Sequence, residues 1–393
     1  MVQSSFLYSV FEPYFCFMKI DAAFIGIIFF SILCAVVAVQ VVYYLFIFSR
    51  LAFYKEPQAA STQEYPVSII ICAKDEAENL VKHLPGVLVQ HYKSSHDVMV
   101  VNDNSMDATR YIIEEFQKTF KNLISLPLMQ EAILIPGKKF PLSMGIKAAK
   151  YEILLLTDAD CMPASENWIQ KMQAGYYKPE IDIVLGYGAY RKMPTLLNKL
   201  IRFETFHTAL QYLSFALAKM PYMGVGRNLS YKRQMFIKSK GFSSINHIPS
   251  GDDDLFINKI ATKSNTAIVI NKEAHTISDA KQTWSEWSRQ KKRHLTTAKY
   301  YKPKFKLLLG LYSFSAFWVY PALILSIIFY SWWLALVVYG IRLLLLAFVW
   351  KKSMDKLNES DLWPMFLFFD IWQFIYYLIF ATALLLKPGK RWK

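Results

Sequence analysis

EILLLTDADC, residues 152–161, is a short apolar run that ends abruptly on two aspartates one residue apart. Runs of this kind suit strands of a parallel sheet buried on both faces. Three more lie around it: VSIIICA (67–73), DVMVV (97–101) and DIVLG (182–186). Helix-like stretches separate them, over Glu76–Gln90, Met106–Phe120 and Pro141–Ala149. The alternation from Pro66 to about Lys281 predicts a doubly wound, Rossmann-like α/β domain of the nucleotide-binding type. In such sheets ligands sit beyond the carboxyl ends of the strands. Three of these ends are polar: Lys74-Asp75-Glu76-Ala77-Glu78-Asn79, Asn102-Asp103-Asn104-Ser105-Met106-Asp107 and Asp158-Ala159-Asp160.

Taken singly, each has a plain structural explanation. Asn, Asp and Ser favour turns and helix N-caps, and acids such as Glu76 and Glu78 complement the dipole of a helix start. Their joint placement points to chemistry. Carboxylates at i and i+2, leaving a buried strand, both reach one hard divalent cation, Mg²⁺ or Mn²⁺, which bridges to a diphosphate. Asp103, on the neighbouring turn, is placed to hydrogen-bond a base or ribose.

Outside this domain the chain reads differently. It has 393 residues, 54% hydrophobic and 16% aromatic, with a formal net charge of +15. The apolar content excludes disorder. Four cysteines, Cys16, Cys34, Cys72 and Cys161, without CxxC spacing, suggest neither a disulfide scaffold nor a zinc site. From Ala22 to Ser49 run 28 residues without a charge, where about 20 cross a bilayer. Arg50 and Lys55 follow, which puts the next domain in the cytosol. Leu307–Trp350 is long enough for two spans that turn near Tyr330–Trp333, and Leu362–Leu386 makes one more.

The predicted organisation is an N-terminal segment (1–21), a transmembrane helix (22–49), a cytosolic domain (50–280), an amphipathic interfacial helix (281–306), three transmembrane helices (307–386) and a basic tail (387–393). Between Lys281 and Lys306 there are nine Lys or Arg and one acid, interleaved with Trp284, Trp287, Tyr300 and Tyr301. With no nucleic-acid motif beside it, that run addresses membrane lipids. Within the last spans Arg342 and Asp370 fall at similar depth, which predicts an ion pair. Four crossings would leave Lys387, Lys390, Arg391 and Lys393 outside, against the positive-inside rule, unless one segment is re-entrant.

The order of these motifs resembles the family 2 glycosyltransferases with their GT-A fold, especially the membrane-bound branch of cellulose, chitin and hyaluronan synthases and ceramide glucosyltransferase. The likeness covers about residues 66–300 and the flanking helices. CAKDEAENL (72–80) resembles the first nucleotide-binding loop, VNDNSMDAT (101–109) the second, and LTDADC (156–161) the metal-binding DxD. By that resemblance Glu76 and Asp103 contact the nucleoside, Asp158 the nucleotide-sugar and Asp160 the metal. Pro136-Gly137-Lys138-Lys139 resembles a basic segment whose lysine lies near the nucleotide, taken here as Lys139 over Lys138. Ser250-Gly251-Asp252-Asp253-Asp254-Leu255 resembles the "ED" motif, whose second acid is the general base. That assigns the base to Asp253, with Asp252 or Asp254 free to cap the helix. Gly224-Val225-Gly226-Arg227-Asn228-Leu229 stands where the family has an acceptor loop, which puts Gly226 and Asn228 on the acceptor side. Gln290-Lys291-Lys292-Arg293-His294 resembles QxxRW, in which Gln290 and Arg293 would bind the diphosphate. His294 replaces the acceptor-side Trp.

The resemblance implies an integral-membrane, metal-dependent, inverting glycosyltransferase of the plasma (inner) membrane. It would carry a sugar from a nucleotide-sugar, a UDP-sugar first, to a lipid-linked or glycan acceptor at the cytosolic face. The rival within the class is a processive polysaccharide synthase, which few spans and His294 disfavour unless a partner subunit adds helices. The rival outside it is a catalytically silent membrane scaffold, against which the intact acids speak.

Overall fold

The computed structural model describes residues 22–57, 64–129 and 135–380. The segment 1–21 and the basic tail 387–393 lie outside the described residues, as do residues 381–386 at the end of the last predicted span. The first helix, α1 (Ala22–Val42), continues through a π-helical stretch, Tyr43–Phe48, to a last turn at Ser49–Ala52. Then β1 (Val67–Ala73), α2 (Ala77–Leu88), β2 (His96–Asp103), α3 (Thr109–Thr119), β3 (Leu123–Leu128), α4 (Lys139–Ala148) and β4 (Ile153–Asp158) alternate, all predicted from the sequence except β3. Past β4 the pieces shorten: β5 (Cys161–Pro163), α5 (Trp168–Gln173), β6 (Ile183–Leu185) and β7 (Gly188–Tyr190) lead into the long α6 (Leu196–Leu217). After it come β8 (Leu229–Lys232), α7 (Arg233–Lys238), α8 (Asp254–Ile260), β9 (Thr266–Ile268), β10 (Thr276–Ser278) and α9 (Trp284–Leu295). Three apolar helices close the described chain: α10 (Pro303–Phe329), α11 (Trp332–Lys356) and α12 (Phe366–Phe380).

The main sheet has seven strands in the order β3-β2-β1-β4-β8-β6-β9. Its first four are parallel, while β8 runs antiparallel to both neighbours, so the sheet is mixed. The reason is how β8 is entered. After α6 the chain comes through the 224–226 glycine loop at the carboxyl edge of β4, pairing Leu229 with Leu156. That return lays the glycine loop beside Asp158. A second sheet, β5-β10-β7, flanks the same edge.

Both faces of β1 are covered, which is why its sequence shows no polar alternation. Ile70 and Cys72 face a layer shared with α6, Tyr44, Tyr312 and Trp350, whereas Ile69 and Ile71 face α2, α5 and Trp168. The first layer welds the domain to the apolar helices: the rings of Phe203 (α6) and Phe369 (α12) stack with centroids 4.3 Å apart.

Among the described residues, four helices are long and apolar enough to cross a membrane: Phe24–Ala52, Pro303–Phe329, Trp332–Lys356 and Ser360–Phe380. The turn between the second and third falls at Tyr330–Ser331, within the predicted stretch. Arg342 and Asp370 pair as their depths predict. Arg342 Nη2 lies 2.6 Å from Asp370 Oδ1 and Nη1 meets the other oxygen, where the Tyr320 (2.7 Å) and Tyr339 (3.2 Å) hydroxyls also donate.

The segment 281–306 holds a shorter helix than its predicted bounds. Its helix, α9, ends at Leu295, and its aromatic residues divide: Trp287 is buried against Trp372, Tyr376 and Phe380 of α12, whereas Trp284 and Tyr300 stay exposed. Lys291, buried on the same side, pairs with Glu204 of α6. Trp287 and Lys291 thus dock one side of the helix onto α6 and α12.

Candidate active site

The turns after β1 and β2 lock into each other. Asp75 Oδ1 accepts from the Met106 amide (2.7 Å), and the Asp75, Glu76 and Ala77 amides donate to Ser105, Thr109 and Asp107 side chains. Asp75 (φ 53°) and Asn104 (φ 52°) take the left-handed conformation that short polar residues tolerate. Most polar groups of the two motifs therefore build the shelf itself. Glu76 sits at the N-cap position of α2, its carboxylate accepting from Asn79, and Asp103 ends β2, 7% exposed.

Beside this shelf β4 delivers Asp158 and Asp160. Lys138 pairs with Asp158, whose side chain is 36% exposed, so the pair lines a recess open to water. Burial opposes ionisation of Asp158, but Lys138, then Arg227 and Arg293, outweigh it and hold the carboxyl below its ordinary range. Burial and the neighbouring Asp158 push Asp160 the other way. Burial likewise disfavours a charged Lys138, but Asp158, Cys72 and Asp252 overcome it, and the ammonium is retained.

Lys139, the lysine chosen from the sequence, points elsewhere. Its buried ammonium donates to Ser250 O (2.7 Å) and Ile248 O. Gly137 (φ +80°) makes this possible, since a Cβ there would stand 2.2 Å from Pro249 O. The turn that presents Lys138 is thus pinned to the loop that presents the three aspartates.

Those aspartates divide their tasks. Asp254 is buried and accepts from the Tyr301 hydroxyl (2.8 Å), the Thr297 hydroxyl and its own helix at Leu255, tying α8 to the approach to α10. Asp253 is itself the N-cap, the role expected of Asp252 or Asp254. Its Oδ1 accepts from the Asp254 amide (2.7 Å) and its Oδ2 from the Gly226 amide (2.8 Å). Burial and the flanking Asp252 and Asp254 push its carboxyl up to about 7. Asp252 accepts no hydrogen bond among the described residues and lies close enough to Lys138 and Cys72 to influence both.

Gly226 reaches the site through that amide. Asn228 does not: it is fully buried, donates to Tyr187 O (3.0 Å) and Ala274 O (2.7 Å), and accepts from Trp168 Nε1 (3.1 Å). With its side chain spent on the scaffold, it has no group left for an acceptor. Gln290 and Arg293 lie half-buried on α9, and Arg293 acts on Asp158. His294 is exposed on the same helix, where the surrounding protein and the cations Lys291, Arg293 and Arg227 push its imidazole below its usual value.

Donor atoms of Asp158, Asp160 and Cys161 lie within 4.8 Å of one another. Burial, Asp160 and Asp158 push the Cys161 thiol up, and it rests 2.9 Å from Ser278 Oγ, so it stays a neutral thiol. The carboxylates of Asp158 and Asp160, both partly exposed, remain, a donor set that fits a hard divalent ion sharing its shell with water and a diphosphate. Lys138 is the alternative that the GKK turn offers beside Lys139, and only tertiary packing separates the two lysines. The sequence reading misses Arg227, since nothing in the sequence sets it apart within the 224–229 loop.

The architecture is that of the GT-A glycosyltransferases. A mannosyltransferase from Pyrobaculum calidifontis, solved with GDP-Man and Mn²⁺, superposes with a TM-score of 0.56 over 88% of this chain and 99% of its own, at 18% identity. Residues 68–240 match the family model "Glycosyl transferase family 2", and that stretch is a family 2 glycosyltransferase domain. Glycosyltransferase AglE of Haloferax volcanii is 28% identical over 193 residues, 48% of this chain and 58% of its own length. A poly-beta-1,6-N-acetyl-D-glucosamine synthase of Staphylococcus epidermidis is 28% identical over 169 residues, 42% of this chain and 38% of that protein. The match thus spans about half the length of these curated relatives.

Proposed function

We propose that the protein is an integral-membrane, inverting glycosyltransferase that moves a sugar from a nucleoside-diphosphate sugar, UDP-linked, to a lipid-linked or glycan acceptor at the cytosolic face. The observation that carries this reading is the meeting of Asp158–Asp160, Lys138 and the Asp252–Asp253 pair at one strand edge, over a domain welded to apolar helices.

Glu76 and Asp103 hold the nucleoside, and Lys138, Gln290 and Arg293 the diphosphate, by charge-assisted hydrogen bonds. Asp160, with Asp158, would hold Mg²⁺ or Mn²⁺; the chemistry such an ion supplies when bound is neutralisation of the departing diphosphate. The acceptor hydroxyl oxygen forms a bond to the anomeric carbon, and the carbon–oxygen bond to the diphosphate breaks. The hydroxyl proton passes to a carboxylate. Both oxygens of Asp253 are already engaged by backbone amides, which favours Asp252, its unengaged neighbour, as the base. Asp253 then fixes the base loop to Gly226. A single displacement of this kind inverts the anomeric centre.

The test is release of nucleoside diphosphate by the purified protein from a panel of UDP- and GDP-sugars, with Mn²⁺ or Mg²⁺ and with chelator. Metal-dependent release from one donor is the expected outcome. No release from any donor, with membrane lipids and glycans supplied, would instead favour the silent scaffold.

A further inference from the structure

We propose that Arg227 is a positioning residue of the donor site, and that its place is set from the membrane side by Glu359 acting through Tyr187. The proposal rests on the glycosyltransferase reading and extends it to a residue far outside the matched segment. Glu359 follows α11 at the turn toward α12 and is 1% exposed. A carboxylate so sealed is costly unless paired. It accepts from Arg202 Nε on α6 (3.0 Å), and Arg202 Nη2 also reaches Asp361 (2.7 Å). The remaining oxygen of Glu359 accepts from the Tyr187 hydroxyl (3.1 Å).

Tyr187 joins β6 to β7, and that short connection bears directly on Arg227. Arg227 Nη2 donates to Gly188 O (2.8 Å), and Nη1 to Ala189 O and Ser278 Oγ (both 3.3 Å). The guanidinium lies 4.3 Å from the centroid of the Tyr190 ring. Gly188 leaves the room for it: a Cβ there would stand 3.1 Å from Arg227 Cβ and 3.4 Å from Cζ.

The same arginine grips the acidic turn at both ends. Its carbonyl accepts from the hydroxyl of Thr157 (3.0 Å), the residue before Asp158. Ser278, bound to its guanidinium, lies 2.9 Å from the sulfur of Cys161, the residue after Asp160. A displacement of the α11–α12 turn therefore reaches Asp158 through Tyr187, Arg227 and Thr157, and Asp160 through Tyr187, Arg227, Ser278 and Cys161.

A double-mutant cycle on the full-length protein tests this, with kcat, the half-saturating Mn²⁺ concentration and the melting temperature as readouts. Tyr187→Phe removes only the hydroxyl that meets Glu359. It should lower kcat about threefold to tenfold and raise the half-saturating Mn²⁺ concentration, with little change in melting temperature. Added to Arg227→Lys, it should cost little more, because both changes act on one placement. Should Tyr187→Phe not fold, Glu359→Gln with Arg227→Lys closes an equivalent cycle. Losses that multiply in the double variant, or a melting shift without a change in kcat, would overturn the proposal while leaving wild-type turnover intact. A wild type that turns over no donor would overturn the reading beneath it as well.

Discussion

The ammonium of Lys139 lies 2.7 Å from the carbonyl oxygen of Ser250, two residues ahead of Asp252, while its neighbour Lys138 pairs with Asp158. One turn thus carries an anchor and a ligand. Lys139→Met removes the anchor and strands two carbonyls, at about 1–3 kcal/mol for each buried group left unsatisfied. It should lower the melting temperature clearly. Lys138→Met should leave melting nearly unchanged and raise the donor KM, with kcat/KM down about tenfold to a hundredfold, or ~1.4–2.7 kcal/mol. Thermal melts beside donor saturation curves separate the two; equal effects on melting would refute the division of labour.

The adjacent acids are separable in the same way. With the base at Asp252, Asp252→Asn should lower kcat by about 10²–10⁴-fold with the donor KM little changed. Asp253→Asn keeps an oxygen for one amide and loses the other, so a smaller loss is expected. If Asp253→Asn is the dead variant and Asp252→Asn retains turnover, the proton goes to Asp253 after all.

Asp253 also predicts a pH dependence of stability. Its folded-state carboxyl is pushed up to about 7, above an unfolded value of about 3.9. Between those values the folded protein binds more protons than the unfolded one, so this group makes stability fall as pH rises from about 4 to about 7 and level off above. Melting curves of wild type and Asp253→Asn across that range should show the flatter slope in the variant. A slope unchanged by the substitution would mean that the carboxyl titrates normally.

How much of this was legible in the sequence follows from which forces are local. β1, β2 and β4 announce themselves because both faces are buried, and a strand covered twice is mostly apolar on both sides, with only a few buried polar residues such as Ser68 and Thr157. Asp158 and Asp160 are legible because the apolar run stops there. By contrast, β8 offers only Leu-Ser-Tyr-Lys, and its direction depends on how the chain returns from α6, which no local pattern records. The choice between Lys138 and Lys139 depends on Pro249, more than a hundred positions away. Asn228 is assigned to the acceptor side by the resemblance of the 224–229 loop to the family's acceptor loop. Its burial under Trp168 is a fact of packing alone.

The paired ions between the apolar helices give the last prediction. Arg342 and Asp370 are each about sealed, at 2% and 1% exposure, and two tyrosine hydroxyls complete the carboxylate. Asp370→Asn leaves the guanidinium without its counter-charge, and breaking such a pair costs about 3–5 kcal/mol. The same ledger says that removing both charges is far cheaper, because the desolvation cost disappears with the attraction. Asp370→Asn should therefore melt well below wild type in detergent, whereas Arg342→Met with Asp370→Leu should recover most of the difference. If the pair only holds helices together, the double variant should also keep wild-type turnover. A double variant that is stable but inactive would instead place Arg342 or Asp370 in contact with the acceptor, since nothing else about the donor site would have changed.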